Sequence, residues 1–230
     1  MKIVVLGDGL LGKEIINQTG WDYYSRKKDN LNINNIVTWS HLLLPYDVVV
    51  NCIAYTKTYD DDKQQHWDIN YKAVAELVDY CNNHNKKLIH ISTDYIYANS
   101  FQNADEELTV PAHIETWYGY TKLLGDAYVQ LKSKNYLICR ESHKPFPFPY
   151  KEAWDDLETN GDFVNVIAEL IIKLINKDAK GVFNVGTEPK TIYDLAVSKG
   201  FDVESVNSPF NVPMNTTMNL NKLENFLYEN

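Results

Sequence analysis

"KIVVLGDGLLGKEIINQ", residues 2–18, carries three signals in order: a β-branched apolar run, a cluster of glycines, and an amphipathic stretch with helical spacing. A strand that turns through glycines straight into a helix is the opening of a βαβ unit. Gly7, Gly9 and Gly12 form GxGxxG at that turn, the context that gives the motif meaning. The first glycine permits a tight turn, the second lets a pyrophosphate approach the backbone, and the third lets helix and strand pack closely. Unpaired N–H groups at the helix start then face the anion. The stretch predicts a dinucleotide site, against the alternative of a merely structural glycine turn.

Outward from it, the same alternation repeats. "DVVVNCIA" is followed by "HWDINYKAVAELVDYCNN", "KLIHIST" by "YGYTKLLGDAYVQLKSK", and "YLICRE" by "FVNVIAELIIKLIN", before a last apolar run "GVFNVG". Continuous apolar strands alternating with helices are what a parallel sheet covered on both faces produces, so the fold class is α/β, doubly wound. Ile69, Ala73, Leu77 and Tyr80 recur at helical spacing and predict one core-facing stripe, beside which Asp79 and Asn83 need no function. The tail from Thr191 offers a helix "TIYDLAVSKG", a strand-like "FDVESV" and a last helix "NLNKLENFL".

The segment from 145 to 161, "PFPFPYKEAWDDLETNG", breaks the alternation with prolines, aromatics and acids. It reads as an irregular crossover or a flap over the substrate crevice, with a polyproline ligand as a third reading. The boundaries that follow are a dinucleotide-binding domain at 1–144 and, at 145–230, a small substrate lobe plus a helix and strand returning to the main sheet.

Composition narrows the class. Across 230 residues, 44% are hydrophobic and 23% charged, ordinary for a globular enzyme or binding domain. Net charge is −9, and Arg26 and Arg140 are the only arginines, which argues against nucleic-acid binding. Cys52, Cys81 and Cys139 each sit in an apolar run and read as buried free thiols of a reducing compartment. No metal-ligand spacing is present, and His41, His66, His84, His90 and His113 are scattered, as structural or surface residues are. The start lacks the features of a signal peptide and no apolar run approaches bilayer length, so the expectation is a cytoplasmic protein with no membrane contact.

After the second strand, where an acidic residue would bind the ribose of NAD, "WDYYSRKKDN" has Ser25, Arg26 and Lys27. An arginine there can pair with a 2′-phosphate, which favours NADP, with NAD possible; a basic surface turn is the plain alternative, and Asp29 is a possible ribose ligand. Further on, Tyr118 and Lys122 stand four apart on a helix, so their polar ends can share one cavity. A nearby ammonium favours phenolate and would bring the tyrosine pKa down from about 10, as general acid catalysis wants. The preceding strand ends in Ser92, Thr93 and Asp94, which open onto the same crevice.

Gly7-Gly9-Gly12, "NCIAYT" at 51–56, "STDYIY" at 92–97 and "YGYTKLLGD" at 118–126 together resemble the extended short-chain dehydrogenase/reductases. "AYT", "STDY" and "VPMNTTMNLNKL" at 212–223 are most similar to the dTDP-4-dehydrorhamnose reductases within them. The resemblance implies Tyr118 as proton donor, Lys122 as the group that binds the nicotinamide ribose and lowers the tyrosine pKa, and Thr93 as the hydrogen-bonding partner of the substrate oxygen. It implies Leu10 and Leu11 at the pyrophosphate, Asn32 and Ile33 near adenine, and Ala54, Tyr55 and Thr56 along the cofactor. Thr93 and Asp94 would contact the sugar, and Asn70 would support the site.

There are departures. The glycine loop is one residue tighter than the family's, and three extra residues separate Pro111 from Tyr118. "RESH" replaces Arg-Thr-Ser-Trp, putting His143 where a tryptophan touches substrate, and the chain is short for the family after Arg140. The function implied is an NADP-dependent reductase of a nucleotide-linked 4-keto-6-deoxy sugar in dTDP-rhamnose biosynthesis, with a homodimer possible. An epimerase or dehydratase of the same superfamily, and a non-catalytic dinucleotide-binding regulatory subunit, are the alternatives.

Overall fold

The computed structural model describes residues 1–98, 103–107, 116–209 and 211–228. The β-branched runs form strands β1 (Ile3–Leu6), β2 (Asp22–Tyr24), β3 (Val48–Asn51), β4 (Lys87–Thr93) and β5 (Tyr136–Glu141), joined by an edge strand Gly181–Val185. Together they make a six-stranded sheet in the order edge strand, β5, β4, β3, β1, β2. Every pairing in it is parallel. The chain enters at β1, runs outward to β2, then crosses back to β3 on the other side, so the strand order reverses around β1. The glycine loop follows β1, "NCIAYT" follows β3 and "STDY" follows β4, so all three motifs open at one edge of the sheet, where ligands of such sheets bind.

Successive side chains point to opposite faces of a strand, and here both faces are dry. Ile3, Val5, Val48, Val50, Ile89 and Leu137 pack with residues of the helices Leu10–Thr19 and Val164–Asn176. Val4, Leu6, Val49, Leu88 and Ile138 pack with the helix Ala73–Asn83. That two-sided burial is why these strands read as continuous apolar runs rather than alternating ones. Ala73 and Leu77 are buried, with Ile69 and Tyr80 packed partly buried against them, as their spacing predicts. Asp79 accepts a hydrogen bond from the Tyr128 hydroxyl.

After β5 the construction changes. His143–Lys144, Glu152–Trp154, Glu158–Thr159 and Asp162–Phe163 are strands of two or three residues. They surround a separate small core of Phe148, Leu157, Phe163, Ile192, Leu195 and Val212. The proline-rich segment is irregular but tied down: Glu152–Trp154 pairs in parallel with Glu204–Val206, and Glu158–Thr159 runs antiparallel to Lys190–Thr191. Its aromatics supply packing, Phe148 meeting both Phe163 and Phe201.

Cys81 and Cys139 are buried, Cys52 is partly so, and all three are free thiols. Among the described residues no helix is long and apolar enough to cross a membrane, and no group of His, Cys, Asp or Glu could hold a metal ion. His113 and Pro111 lie outside the described residues. His66 and His90 are buried, while His41 and His84 are at the surface.

Candidate active site

At the C-terminal edge of the sheet lies a cavity of about 500 Å³. One end is the glycine loop. Gly7 has φ +95°, a left-handed conformation that favours glycine. A Cβ on Gly12 would stand 2.2 Å from the Gly7 carbonyl oxygen, so only glycine lets the helix close on the turn. Gly9 caps the helix with no side-chain hydrogen bond, and a Cβ there would meet nothing within 4 Å. The loop is therefore a bare backbone cradle at a helix N-terminus, which fits an anionic dinucleotide.

The middle of the cavity belongs to the helix Trp117–Lys132. Thr116 caps it, its Oγ1 accepting from the Gly119 N–H at 3.1 Å. Asp126 bolts it to the sheet: Arg140 Nε, from β5, donates to Asp126 Oδ2 at 3.0 Å with both groups buried. Gly125 lets it press against the π-turn Asp68–Lys72, since a Cβ would lie 2.6 Å from the Asn70 carbonyl oxygen. Asn70 in turn accepts from the Tyr55 N–H at 2.8 Å and donates to the Tyr55 carbonyl at 3.1 Å, with a longer bond to Thr121 Oγ1 at 3.3 Å. Asn70 thus pins the backbone after β3 to the helix that carries Tyr118 and Lys122.

Tyr118 and Lys122 both line the cavity, together with Thr93, Asp94, Gly9, Leu10, Leu11, Gly12, Ala54, Thr56 and His143. The other expected residues are not among those that line it. Ser25 is buried as the cap of the short helix Arg26–Asp29, its Oγ accepting from Lys28 N–H, while its own N–H donates to Asp29 Oδ2 at 2.9 Å. Arg26 is exposed, Asn32 is exposed, and Ile33 is part of the core. Tyr55 turns its hydroxyl to Asp60 at 2.7 Å, so its backbone rather than its ring follows the cavity edge.

Electrostatics run opposite to one expectation. The Tyr118 phenol is pushed up rather than down: burial dominates, the Thr93 hydrogen bond lowers it, and the carboxylates of Glu141, Asp94 and Asp126 raise it further. Lys122 Nζ donates to the Ile91 carbonyl at 2.6 Å instead of to the phenol, and burial lowers its own pKa against the pull of Asp126 and Glu141. With the Lys122 ammonium donating to a backbone carbonyl and acidic groups around the phenol, the balance at Tyr118 is set by burial rather than by Lys122. Burial and the neighbouring acids thus favour the protonated phenol. Burial also pushes the Cys52 thiol at the cavity wall up to about 12, so it is no nucleophile.

Asp94 is buried, and its Oδ2 accepts from Thr159 Oγ1 at 3.1 Å and Thr216 Oγ1 at 2.7 Å. Both threonines come from the chain after β5, so this carboxylate joins the sheet end to the small core. Burial lifts it to about 6, against the lowering from its threonine bonds. Glu141, Ser142, Lys144, Tyr95 and Trp154 also line the cavity without having been singled out. Glu141 had a readable signal: it closes β5 as the register partner of Thr93. A second cavity of about 620 Å³ adjoins the first, sharing Lys144, Trp154 and Ile192 and walled by Phe148, Tyr150 and Lys151.

Comparison with known proteins puts this geometry in context. Residues 1–143 match the family model described as the RmlD substrate binding domain. The probable low-salt glycan biosynthesis reductase Agl14 of Haloferax volcanii is 34% identical over 105 residues, 44% of this chain and 35% of that protein. The dTDP-4-dehydrorhamnose reductase of Mycolicibacterium smegmatis is 28% identical over 147 residues, 60% of this chain and 44% of that protein. The chain thus spans less than half the length of either curated relative it matches. Among solved structures, a hypothetical dTDP-4-dehydrorhamnose reductase from Sulfolobus tokodaii superposes with TM-score 0.82 at 20% identity, over 99% of this chain and 95% of that one. The NADP complex of dTDP-4-dehydrorhamnose reductase from Bacillus anthracis gives 0.81 at 21% identity, over 97% and 91%. The first 143 residues, which contribute the glycine cradle, Thr93, Tyr118 and Lys122, are the ones the family model matches, and the chain belongs to the RmlD substrate binding domain family.

Proposed function

We propose that the protein is an NADP-dependent reductase that carries hydride to the C4 ketone of a nucleotide-linked 4-keto-6-deoxy sugar. The observation that carries this reading is the meeting of Thr93, Tyr118 and Lys122 in a cavity whose far end is the bare glycine cradle. A bound nicotinamide supplies the hydride. The chain's own residues do the rest. Thr93 holds the ketone oxygen, and Tyr118, kept protonated by its surroundings, gives its proton to that oxygen as negative charge develops. Lys122, fixed by the Ile91 carbonyl, presents its remaining N–H groups toward a ribose.

The nucleotide-linked substrate is supported by the second cavity. Lys144 stands between the two chambers with its Nζ 5.9 Å from the centre of the Trp154 ring, a cation where a diphosphate would pass from sugar to base. On this reading residues 1–144 bind the dinucleotide, and residues 145–230 supply the substrate lobe plus a helix and strand of the main sheet. We place the reaction in the cytoplasm, where NADPH is available as reductant.

The test is single-turnover oxidation of NADPH by dTDP-4-keto-6-deoxy sugars. Oxidation coupled to loss of the ketone is expected. No oxidation by any keto sugar overturns the reading, and tight NADP binding without turnover would favour the regulatory alternative.

A further inference from the structure

β5 ends in a buried carboxylate. Glu141 is only 5% exposed, sits in register beside Thr93, and lines the same cavity. A buried carboxylate is costly unless it is given a partner, and its partner here is His143 Nδ1, at 2.8 Å from Glu141 Oε2. That bond fixes the ring and leaves Nε2 as its free end. No protein partner of Nε2 is found among the described residues, and the imidazole also lines the cavity. A carboxylate that holds one nitrogen of an imidazole in the wall of a ligand cavity is the arrangement of a base and its orienting group.

We infer that His143 is a second proton-transfer group of this cavity, able to enolise a bound ketone at the carbon beside its carbonyl; the inference rests on the ketone-binding role proposed for Thr93 and Tyr118. The step balances without oxidant or cofactor. The C–H bond next to the ketone breaks, its proton passes to His143 Nε2, and its electron pair becomes the enolate double bond. The displaced carbonyl pair resides on the oxygen, where the Thr93 and Tyr118 hydroxyls stabilise it. Reversal returns a proton, by then exchanged with solvent, to the same carbon. His143 would be a catalytic residue and Glu141 a positioning residue.

The charged groups around His143 set the pH at which this works. Burial pulls the imidazole down, but the charge and hydrogen bond of Glu141 outweigh it and raise it above its ordinary 6.5; Lys144 lowers it and Asp94 raises it. Lys122 and Tyr118 face the same cavity from their helix, and Asp162, paired in register with His143, is held by Lys190 at 3.1 Å. Neutral His143 is the base, so exchange rises with pH through a midpoint above 6.5.

The experiment incubates the protein with dTDP-4-keto-6-deoxyglucose in D2O without nicotinamide and follows deuterium uptake beside the ketone by NMR, with NADPH reduction measured in parallel. Wild type is expected to take up deuterium faster than buffer alone. His143→Asn should lower exchange at saturating ketone by roughly 100-fold, while its effect on reduction, through lost substrate contact, should fall on KM rather than kcat. Glu141→Gln should lower the exchange rate and move its pH midpoint downward. Reduction without wild-type exchange overturns this inference and leaves the proposed function standing, whereas exchange without reduction supports it and overturns the reductase. Equal loss of both activities in His143→Asn also overturns it, because the residue would then act through binding alone.

Discussion

The wall that carries Thr93 and the wall that carries His143 meet at one register pair, Thr93 beside Glu141, yet different forces hold them. The first wall ends strands buried on both faces and a helix bolted down by Asp126 and Asn70. The second rises from strands of two or three residues around a small aromatic core. A wall set by a deep core fixes atoms to fractions of an ångström, which proton transfer needs. A wall set by a few rings and threonine hydroxyls can differ among relatives without disturbing that chemistry. The family model likewise matches through residue 143 and no further.

The contrast breaks most directly at Tyr118. Tyr118→Phe keeps the ring and its edge contact with Tyr95 while removing the proton, so reduction should fall about 10²–10⁴-fold with little change in stability. Single-turnover NADPH oxidation reads it, and a rate close to wild type would remove Tyr118 from its role. Because the phenol is raised by burial, activity should stay flat through neutral pH on the alkaline side rather than decline with a tyrosine titrating near 7.

The seam between the walls comes next. Asp94 has its carboxyl lifted from 3.8 to about 6, so the folded state favours its protonated form. Its contribution to stability is therefore full below its unfolded value and is lost as pH rises through about 6. The loss is about 3 kcal/mol on an order-of-magnitude basis. Asp94→Asn keeps an acceptor for Thr159 and Thr216 without the charge, and should flatten that slope between pH 4 and 7 in urea titrations. An unchanged slope would mean that Asp94 is not the group that titrates there.

How far the sequence disclosed these walls follows from the same physics. Strands such as "KIVVLG" and "KLIHIST" betray themselves because both faces are dry, and a glycine turn betrays itself because a Cβ at Gly12 has nowhere to go. Tyr118, Lys122 and Thr93 were legible because helix spacing and strand ends fix where side chains emerge. The direction of the Tyr118 shift was not: Lys122 spends a bond on Ile91 O, and three carboxylates from distant positions gather nearby, which only packing reveals. Asn32 and Ile33 were placed by resemblance alone, and local burial put Ile33 into the core. The segment at 145–161 is legible only as a loop or small lobe because its strands are too short to show a period.

Within the deep wall, Gly12→Ala sharpens the point. Its Cβ would meet backbone rather than a movable side chain, so it should cost about 1–3 kcal/mol of stability and weaken dinucleotide binding about tenfold or more. Gly9→Ala faces open space and should leave stability unchanged while still hindering the pyrophosphate. Equal thermal melts for the two variants would contradict the account of the turn.

The smallest effect concerns Arg26, which lies beyond both walls on the exposed first turn of the helix capped by Ser25. If its guanidinium meets a 2′-phosphate there, it does so in solvent, where such pairs contribute up to about 1 kcal/mol, or roughly fivefold in affinity. Arg26→Ala should therefore weaken NADP by about that factor, leave NAD unaffected, and lose its effect at high salt. Ser25→Ala is the control: it removes the Lys28 N–H bond and about 1 kcal/mol of local stability, yet should leave the ratio of the two affinities alone. Calorimetric titration with both cofactors decides it. NAD binding as tightly as NADP in the wild type would reduce Arg26 to a basic surface residue, and the ribose would then have to be read by another part of the β2 turn.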